Sequence, residues 1–264
     1  MGEDASGNVV LVTGASGGIG AALAAEFAAA GHDLFLVARR ENVLADLAAT
    51  LGEKHGVTVD VLALDLVQRD AGARLEADIA RRALSVDVLV NNAGFGLTGP
   101  AVRLDRQAQL EMMDLNMRVL VELTLRFLPA MVARGRGGVL NVGSIAGFQP
   151  GPYMAGYYAS KAFVGAYTAA LATECHAAGV RFTNLAPGPV ATGFAARAGM
   201  ERAPLFRRMQ VQDAATVARA GYKGFAAGKR LVIPGFANRF AIIAGRLVPG
   251  RLRDAAIAYI VNPR

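Results

Sequence analysis

The sequence predicts a single doubly wound α/β domain: a parallel sheet of about seven strands with helices on both faces. Three observations carry that expectation. Short apolar strands alternate with alanine-rich helical stretches from end to end, the pattern of repeated βαβ units. The chain has 264 residues, 53% apolar and 19% charged, enough for a full core without staples and too apolar for disorder. Its glycine-rich and polar motifs fall just after strands, where ligands sit in such sheets.

Taken in order, Val9–Thr13 is a β-branched and apolar run broken by a glycine-rich turn, and Gly18–Ala30 follows as a helix. Asp33–Ala38 (DLFLVA) is the next strand and Glu41–Leu51 the next helix. Val57–Leu64, Val86–Asn91 and Gly138–Val142 read as further strands. Helices near Arg69–Leu84 and Asp105–Arg134 separate them, the second broken around Asp114–Asn116. A helix over Tyr157–Ala178 leads to a sixth strand, Val180–Ala186, and a short seventh, Leu231–Ile233. No repeat, low-complexity tract or linker divides the chain, so residues 1–264 read as one domain.

Composition excludes several function classes. Cys175 is the only cysteine, which rules out a disulfide scaffold and fits a reducing, cytoplasmic setting. The stretch Gly137–Ser160 lacks charge, but Asn141, Gln149, Pro150, Pro152 and its glycines break it as a membrane span. Glu3 and Asp4 stand where a signal peptide would be basic. The net charge is +7, and the 28 basic residues are spread along the chain, with only short local concentrations such as Arg134–Arg136 and Arg207–Arg208. No basic block interleaves with aromatics, so no nucleic-acid partner is expected, and the bias is toward anionic small molecules. His32, His55 and His176 have no ligand spacing, so no metal is expected.

The first strand ends in Thr13-Gly14-Ala15-Ser16-Gly17-Gly18-Ile19-Gly20. Glycines at 14, 18 and 20 let the backbone approach a pyrophosphate, and the helix opening near Gly18 offers free N–H groups and a positive dipole end. The second strand ends in Ala38-Arg39-Arg40, where a fold selecting NAD usually places a carboxylate for the ribose 2′-hydroxyl. A guanidinium there can clamp a 2′-phosphate instead, so NADP is expected over NAD. The plainer alternative is a solvated pair of arginines at a helix start.

Further along come Asn91-Asn92-Ala93-Gly94, then Ser144, then Tyr157-Tyr158-Ala159-Ser160-Lys161. Tyr157 and Lys161 are four apart and share a helical face, whereas Tyr158 is turned about 100° away and reads as packing or pocket wall. An unperturbed tyrosine, with pKa near ~10, is a poor acid–base at neutral pH. A nearby lysine cation and a cationic oxidised nicotinamide would lower that value, and Ser144 can hold a substrate oxygen against the phenol. By itself a Tyr and Lys at this spacing is more often a surface pair. Ser144 beyond a strand, with the nucleotide turn, makes the catalytic reading the better one.

These motifs, in this order, resemble the short-chain dehydrogenase/reductase family over most of the chain, from about Asn8 to about Ile233. The resemblance implies a Rossmann-type domain, with Tyr157 as proton donor and acceptor and Ser144 positioning the substrate carbonyl. It implies that Lys161 holds the nicotinamide ribose and that Asn116 anchors a water in a proton relay. Asp65, with Leu66 beside it, would meet the adenine edge, and Asn92, Ala93 and Gly94 would flank the cofactor. Pro187, Gly188, Val190 and Thr192 would meet the carboxamide end. The stretches LVARRENVL, NNAGFG and PGPVATGF are similar to a bacterial NADP-type branch.

The resulting expectation is NADPH-dependent, reversible hydride transfer to a ketone, aldehyde or 3-oxoacyl carbonyl, with a catalytically silent dinucleotide-binding regulator as the alternative. Phe95, Leu97 and Phe148–Met154 are expected to wall the substrate pocket, core packing being the alternative for each. Residues 193–212 fall where the family's lid does and carry Arg197, Arg202, Arg207 and Arg208 against Glu201 alone. The resemblance implies a homodimer or homotetramer, and Phe163, Val164, Ala166, Tyr167, Ala170 and Leu171, which wrap more of their helix than one core face needs, are consistent with it. The apolar tail over residues 234–264 has three possible fates. It can cover the pocket, join a subunit interface, or lie on a membrane with Arg246, Arg251 and Arg253 toward lipid headgroups; the first two are favoured.

Overall fold

A computed structural model of the chain describes residues 7–200 and 211–262. Seven strands form one sheet: β1 (Asn8–Thr13), β2 (Asp33–Ala38), β3 (Val59–Ala63), β4 (Ser85–Asn91), β5 (Gly138–Val142), β6 (Arg181–Leu185) and β7 (Leu231–Val232). They pair in parallel in the order β3-β2-β1-β4-β5-β6-β7. The chain builds outward from β1 to β3, crosses back to the other side of β1, and builds outward again to β7. Strand order therefore reverses between β1 and β4, and a crevice opens beyond their carboxyl ends. That reversal fixes where a ligand can sit.

Both faces of the sheet are covered, which is why β1 and β2 are continuous apolar runs rather than alternating ones. Val10, Val12, Leu34 and Leu36 pack on one face against α1 (Gly18–Ala29), α2 (Glu41–His55) and α8 (Ala214–Ala226), through Leu23, Phe27, Leu44 and Val217. Val9, Leu11, Phe35 and Val37 point the other way. They meet Leu75 of α3 (Ala71–Arg81), Leu123 and Phe127 of α5 (Val119–Arg134), and Leu171 of α6 (Ala155–Glu174). Successive residues of one strand thus feed two separate cores.

Element ends depart from the sequence expectation by a few residues. The third strand is shorter, the helix starting at Glu41 runs on to His55, and α3 covers only Ala71–Arg81. Helix α6 begins at Ala155, so Tyr157 lies in its first turn, and it stops at Glu174 rather than Ala178. The expected break near Asp114 is a π turn, Asp114–Arg118, joining α4 (Arg106–Met113) to α5 and burying Asn116. A widened turn of this kind re-aims side chains that a regular helix would send elsewhere.

After β6 the chain makes a short helix, α7 (Phe194–Arg197), before α8; Glu201, Arg202, Arg207 and Arg208 lie outside the described residues, as do Glu3 and Asp4. The apolar tail becomes α9 (Phe236–Leu247) and α10 (Gly250–Val261). Ile257 and Val261 are buried with Tyr158, Met154 and Met200 in a third apolar cluster. Of the three fates for the tail, the first is seen on its inner side, which lies over the crevice, while Phe236, Phe240, Ile243 and Leu247 stay exposed on its outer side. Among the described residues no helix is long and apolar enough to cross a membrane.

Candidate active site

The crevice is a single cleft of 1110 Å³ running from the glycine-rich turn and the Arg39–Arg40 corner to Tyr157 and the C-terminal helices. Its floor is built by tying strand ends together. Thr13 Oγ1 donates to the Val90 carbonyl at 3.1 Å and accepts from the backbone N–H groups of Asn92 and Ala93. The Asn92 amide donates back to the Thr13 and Gly14 carbonyls at 2.9 and 3.1 Å. The ends of β1 and β4 are therefore stitched side by side, and Asn92 acts as the clamp. Below them a buried ladder runs from Thr124 through Asn91 and Asn141 to Thr168, linking α5, β4, β5 and α6.

Glycine is required at two points of the turn. Gly14 has φ +65°, and a Cβ there would lie 2.8 Å from Asn92 Nδ2 and 2.9 Å from Ala93 Cα. At Gly18, φ is +55° and a Cβ would stand 3.0 Å from Thr192 Cγ2. A side chain at Gly14 would force the turn off the Asn92 clamp, and one at Gly18 would press on Thr192. Helix α1 starts here with no side-chain cap and no acid in its first turn. Its leading N–H groups thus face the cleft beside Ser16, Gly17 and Ile19, an arrangement suited to a phosphate.

At the far corner Arg40 reaches back over the turn and donates to the Ser16 carbonyl at 2.7 Å and to its hydroxyl at 3.1 Å. Arg39 is exposed, and among the described residues no hydrogen bond ties it down. Asp65 lines the same corner with Leu64 and Leu66, and one of its oxygens accepts from the Val67 N–H. A third guanidinium arrives from the lid. Arg197 lies 4.4 Å over the Phe95 ring, and its pKa is lowered by burial and by Arg39, with Asp65 opposing. Sequence reading placed Arg197 in the lid without placing it in the cleft. Its only local signal was a run of arginines against one acid.

At the opposite end three residues converge. Ser144 caps a short 3₁₀ turn, accepting from the Ala146 N–H at 3.1 Å and donating to the Pro187 carbonyl at 3.5 Å, and its hydroxyl acts to lower the pKa of the Tyr157 phenol. Lys161 is buried, donates to the Val142 carbonyl at 2.7 Å, and holds its ammonium 5.8 Å from the Tyr157 ring centroid. Burial pushes the Tyr157 phenol up to about 12, with Ser144 pulling against it, and pushes Lys161 down to about 8. The lysine was expected to lower the tyrosine. The protein alone does the reverse, because desolvation of the phenolate outweighs what one hydroxyl returns.

Asn116 differs most from its expected role. Its side chain is buried and does not line the cleft. The carbonyl oxygen accepts from the Phe95 N–H at 3.1 Å, and the amide donates to the Phe95 carbonyl and the Ser160 hydroxyl. Ser160 in turn donates to the Tyr157 carbonyl at 2.7 Å. Every part of that side chain is engaged, so a relay through Asn116 has only its main chain to use. As a side chain it positions the loop after β4 and the first turn of α6.

The segment expected as a lid is tied where it leaves and rejoins the fold: Val190 bridges Gln212, and Ala191 N–H donates to the Gln212 carbonyl at 2.8 Å. Thr192 packs on Gly18, while the Phe194 ring lies 5.2 Å from the Tyr157 ring. Gly188 meets the tail, since a Cβ there would stand 2.5 Å from Asn238 Oδ1, while the Pro187 carbonyl accepts from the Ile145 N–H at 3.0 Å. Of Phe95 and the expected wall Phe148–Met154, the cleft is lined by Phe95, Gln149 and Met154 but not by Phe148 or residues 150–153. Leu97 does not line it either: it faces a separate small cavity with Met112 and Tyr153. Tyr158 is buried in the third cluster, and Cys175 is buried in the core. Ala241, Ile242, Ile257 and Ile260 complete an apolar wall that sequence reading foresaw only as a tail of open destination. Among the described residues no cluster of His, Cys, Asp or Glu could hold a metal.

Comparison with known proteins follows the same lines. The sequence model described as short chain dehydrogenase matches residues 8–235. The very-long-chain 3-oxoacyl-CoA reductase of Laccaria bicolor is 37% identical over 166 residues, a match covering 62% of this chain and 49%, about half, of that protein. Sulfoacetaldehyde reductase 2 of Chromohalobacter salexigens is 39% identical over 189 residues, 71% of this chain and 74% of that one. A solved short-chain dehydrogenase from Sphingobium yanoikuyae in complex with NADPH superposes with a TM-score of 0.82 at 33% identity, covering 91% of this chain and 93% of its own.

Proposed function

Because the chain belongs to the short-chain dehydrogenase family, we propose that it is an NADP(H)-dependent oxidoreductase acting on a carbonyl or alcohol carbon, with Tyr157 as general acid and base. The observation that carries this reading is one cleft joining two halves of a reaction. The uncapped start of α1 and the Arg39–Arg40 corner lie at one end, and Tyr157 with Ser144 and Lys161 at the other. NADP(H) fits that span: the Gly14–Gly18 cradle admits backbone close to a pyrophosphate, and Arg39 offers a free guanidinium to a 2′-phosphate. When bound, it supplies or takes up the hydride.

The chain's own residues handle the proton and the geometry. In the reductive direction Tyr157, fully protonated at neutral pH, donates its phenolic proton to the carbonyl oxygen that Ser144 holds by a hydrogen bond. Lys161 stays mostly cationic at neutral pH and stands close enough to stabilise the phenolate left behind. In the oxidative direction Tyr157 must lose its proton first, and a protein that holds it near 12 depends on added positive charge to bring it down. Phe194, Met154 and the α9–α10 wall exclude water from the transfer and fit a ketone, aldehyde or 3-oxoacyl compound with an apolar body. The reading includes a cytoplasmic enzyme that assembles as a homodimer or homotetramer, which the buried free Cys175 and the exposed Leu125 and Phe163 support.

NADPH oxidation with a panel of ketones, aldehydes and 3-oxoacyl thioesters tests the proposal. At least one should turn over, and Tyr157→Phe should lose about a hundredfold or more in kcat while still binding NADPH. Retained activity in that variant would overturn Tyr157 as the acid. Tight NADPH binding with no turnover of any substrate would point to a dinucleotide-binding regulator instead.

A further inference from the structure

Helix α9 has two apolar faces. Ala241, Ile242 and Gly245 line the cleft, and Asn238 is buried beside them. On the opposite side Phe236, Phe240, Ile243 and Leu247 are 83%, 63%, 62% and 83% exposed. At about 100° per residue these four fall within an arc of about 60°, so they form one row. A solvated surface helix carries polar residues there, and a helix apolar all round needs cover on both sides. Leu252 of α10 adds a fifth exposed apolar side chain at 64%.

The segment of chain that carries that row is strongly basic. Residues 214–264 hold nine lysines and arginines against the single acid Asp254, a formal +8, whereas the whole chain is +7. Residues 1–213 are therefore formally −1, and the basic character of the protein resides in its C-terminal segment. Arg239 lies exposed on α9 next to the row, Arg251 lies exposed at the start of α10, and Lys229 and Arg230 are exposed just before β7.

We propose that the outer face of α9 docks on an anionic bilayer surface. Phe236, Phe240, Ile243 and Leu247 enter the boundary between headgroups and acyl chains, and Arg239, Arg251 and their basic neighbours meet lipid phosphates. Apolar anchors on one face with flanking cations and no transmembrane span make up the chemistry of an interfacial helix. A second copy of the chain is the poorer occupant. A two-fold interface sets each patch against itself, which here brings Arg239 and Arg251 of one copy toward the same cations of the other. Docking would leave the cleft one helix thickness, about 10 Å, from the lipid.

Co-sedimentation of the full chain with vesicles tests this. Vesicles of phosphatidylcholine with one third phosphatidylglycerol should carry the protein down. Phosphatidylcholine alone should bind at least about tenfold more weakly, and high salt should release the protein. Phe240→Ser with Ile243→Ser should weaken binding to the anionic vesicles by about tenfold or more, with thermal melting and NADPH turnover in solution unchanged. Wild-type protein left in the supernatant, equal binding to both vesicles, or a double variant that binds as well as wild type would each overturn the proposal. So would a double variant of smaller mass by light scattering, which would assign the row to a second copy.

Discussion

Arg39 and Arg40 are neighbours in sequence with different work. Arg40 is committed to Ser16, while Arg39 is held by no hydrogen bond among the described residues, which is why the proposed function assigns a 2′-phosphate to Arg39. NADPH should therefore bind at least about tenfold tighter than NADH, and Arg39→Ala should remove most of that preference, measured as the ratio of the two dissociation constants. Equal constants in the wild type would remove Arg39 from the site. Lys161 gives a pH test of burial. Its pKa falls from the ordinary 10.5 to about 8, so between those values the unfolded chain binds the extra proton. Stability must then rise with pH across that window, by about 1–3 kcal/mol for this one group. Urea unfolding without added NADP(H), at pH 8 and pH 10, should show a rise that Lys161→Met lacks. The same slope in both would mean that Lys161 is better solvated than its surroundings indicate.

At the scale of elements, the π turn between α4 and α5 carries more of the site than its length implies. It sends Asn116 inward, where one side chain holds Phe95 after β4 and Ser160 on α6. Asn116→Ala strands those partners without hydrogen bonds in a buried place, at a cost of about 2–4 kcal/mol. The variant should melt lower, and its kcat should fall more than its affinity for NADPH, because the groups released adjoin Tyr157 and not the glycine turn. Unchanged kcat with lowered stability would confine Asn116 to the scaffold. The existence and order of the elements were legible because period-two and helical patterns are local. The interruption at Asp114 was legible too, but its form was not. Whether a break becomes a kink, a loop or a π turn depends on what the freed side chains find across the fold, here the backbone of Phe95.

For the whole molecule, the row on α9 is not the only exposed apolar surface. Leu110 of α4, Leu125 and Val132 of α5, and Phe163 of α6 are 54%, 58%, 41% and 38% exposed, and the Phe163 ring stacks on Tyr167 at 5.7 Å. Two-fold packing of α4 to α6 against the same helices of a second copy would bury them. Light scattering after size exclusion should give a dimer or a tetramer. Leu125→Glu with Phe163→Glu should shift it to a smaller species, since each introduced carboxylate would face its own symmetry mate or an apolar partner. A wild-type monomer would leave those side chains as ordinary surface.

The sequence by itself determined the sheet, its handed alternation with helices, and the glycine turn at the switch between β1 and β4. It also determined which residues stand just past strand ends, Arg39, Asn92 and Ser144 among them. Those follow from periodicity and from the backbone freedom of particular glycines, which act over a few residues at a time. Tertiary structure decided what those residues experience. Enclosure by α6, the lid and the tail raises Tyr157 and lowers Lys161, reversing the influence expected from their spacing alone. The fold also brings Arg197 over Phe95, turns Asn116 away from the cleft, and lays α9 with one apolar face inward and the other outward. Each outcome depends on burial and on contacts between residues far apart in the chain. A local pattern can mark which residues are polar, charged or apolar, but only the packed fold sets how much water and which partner each one keeps.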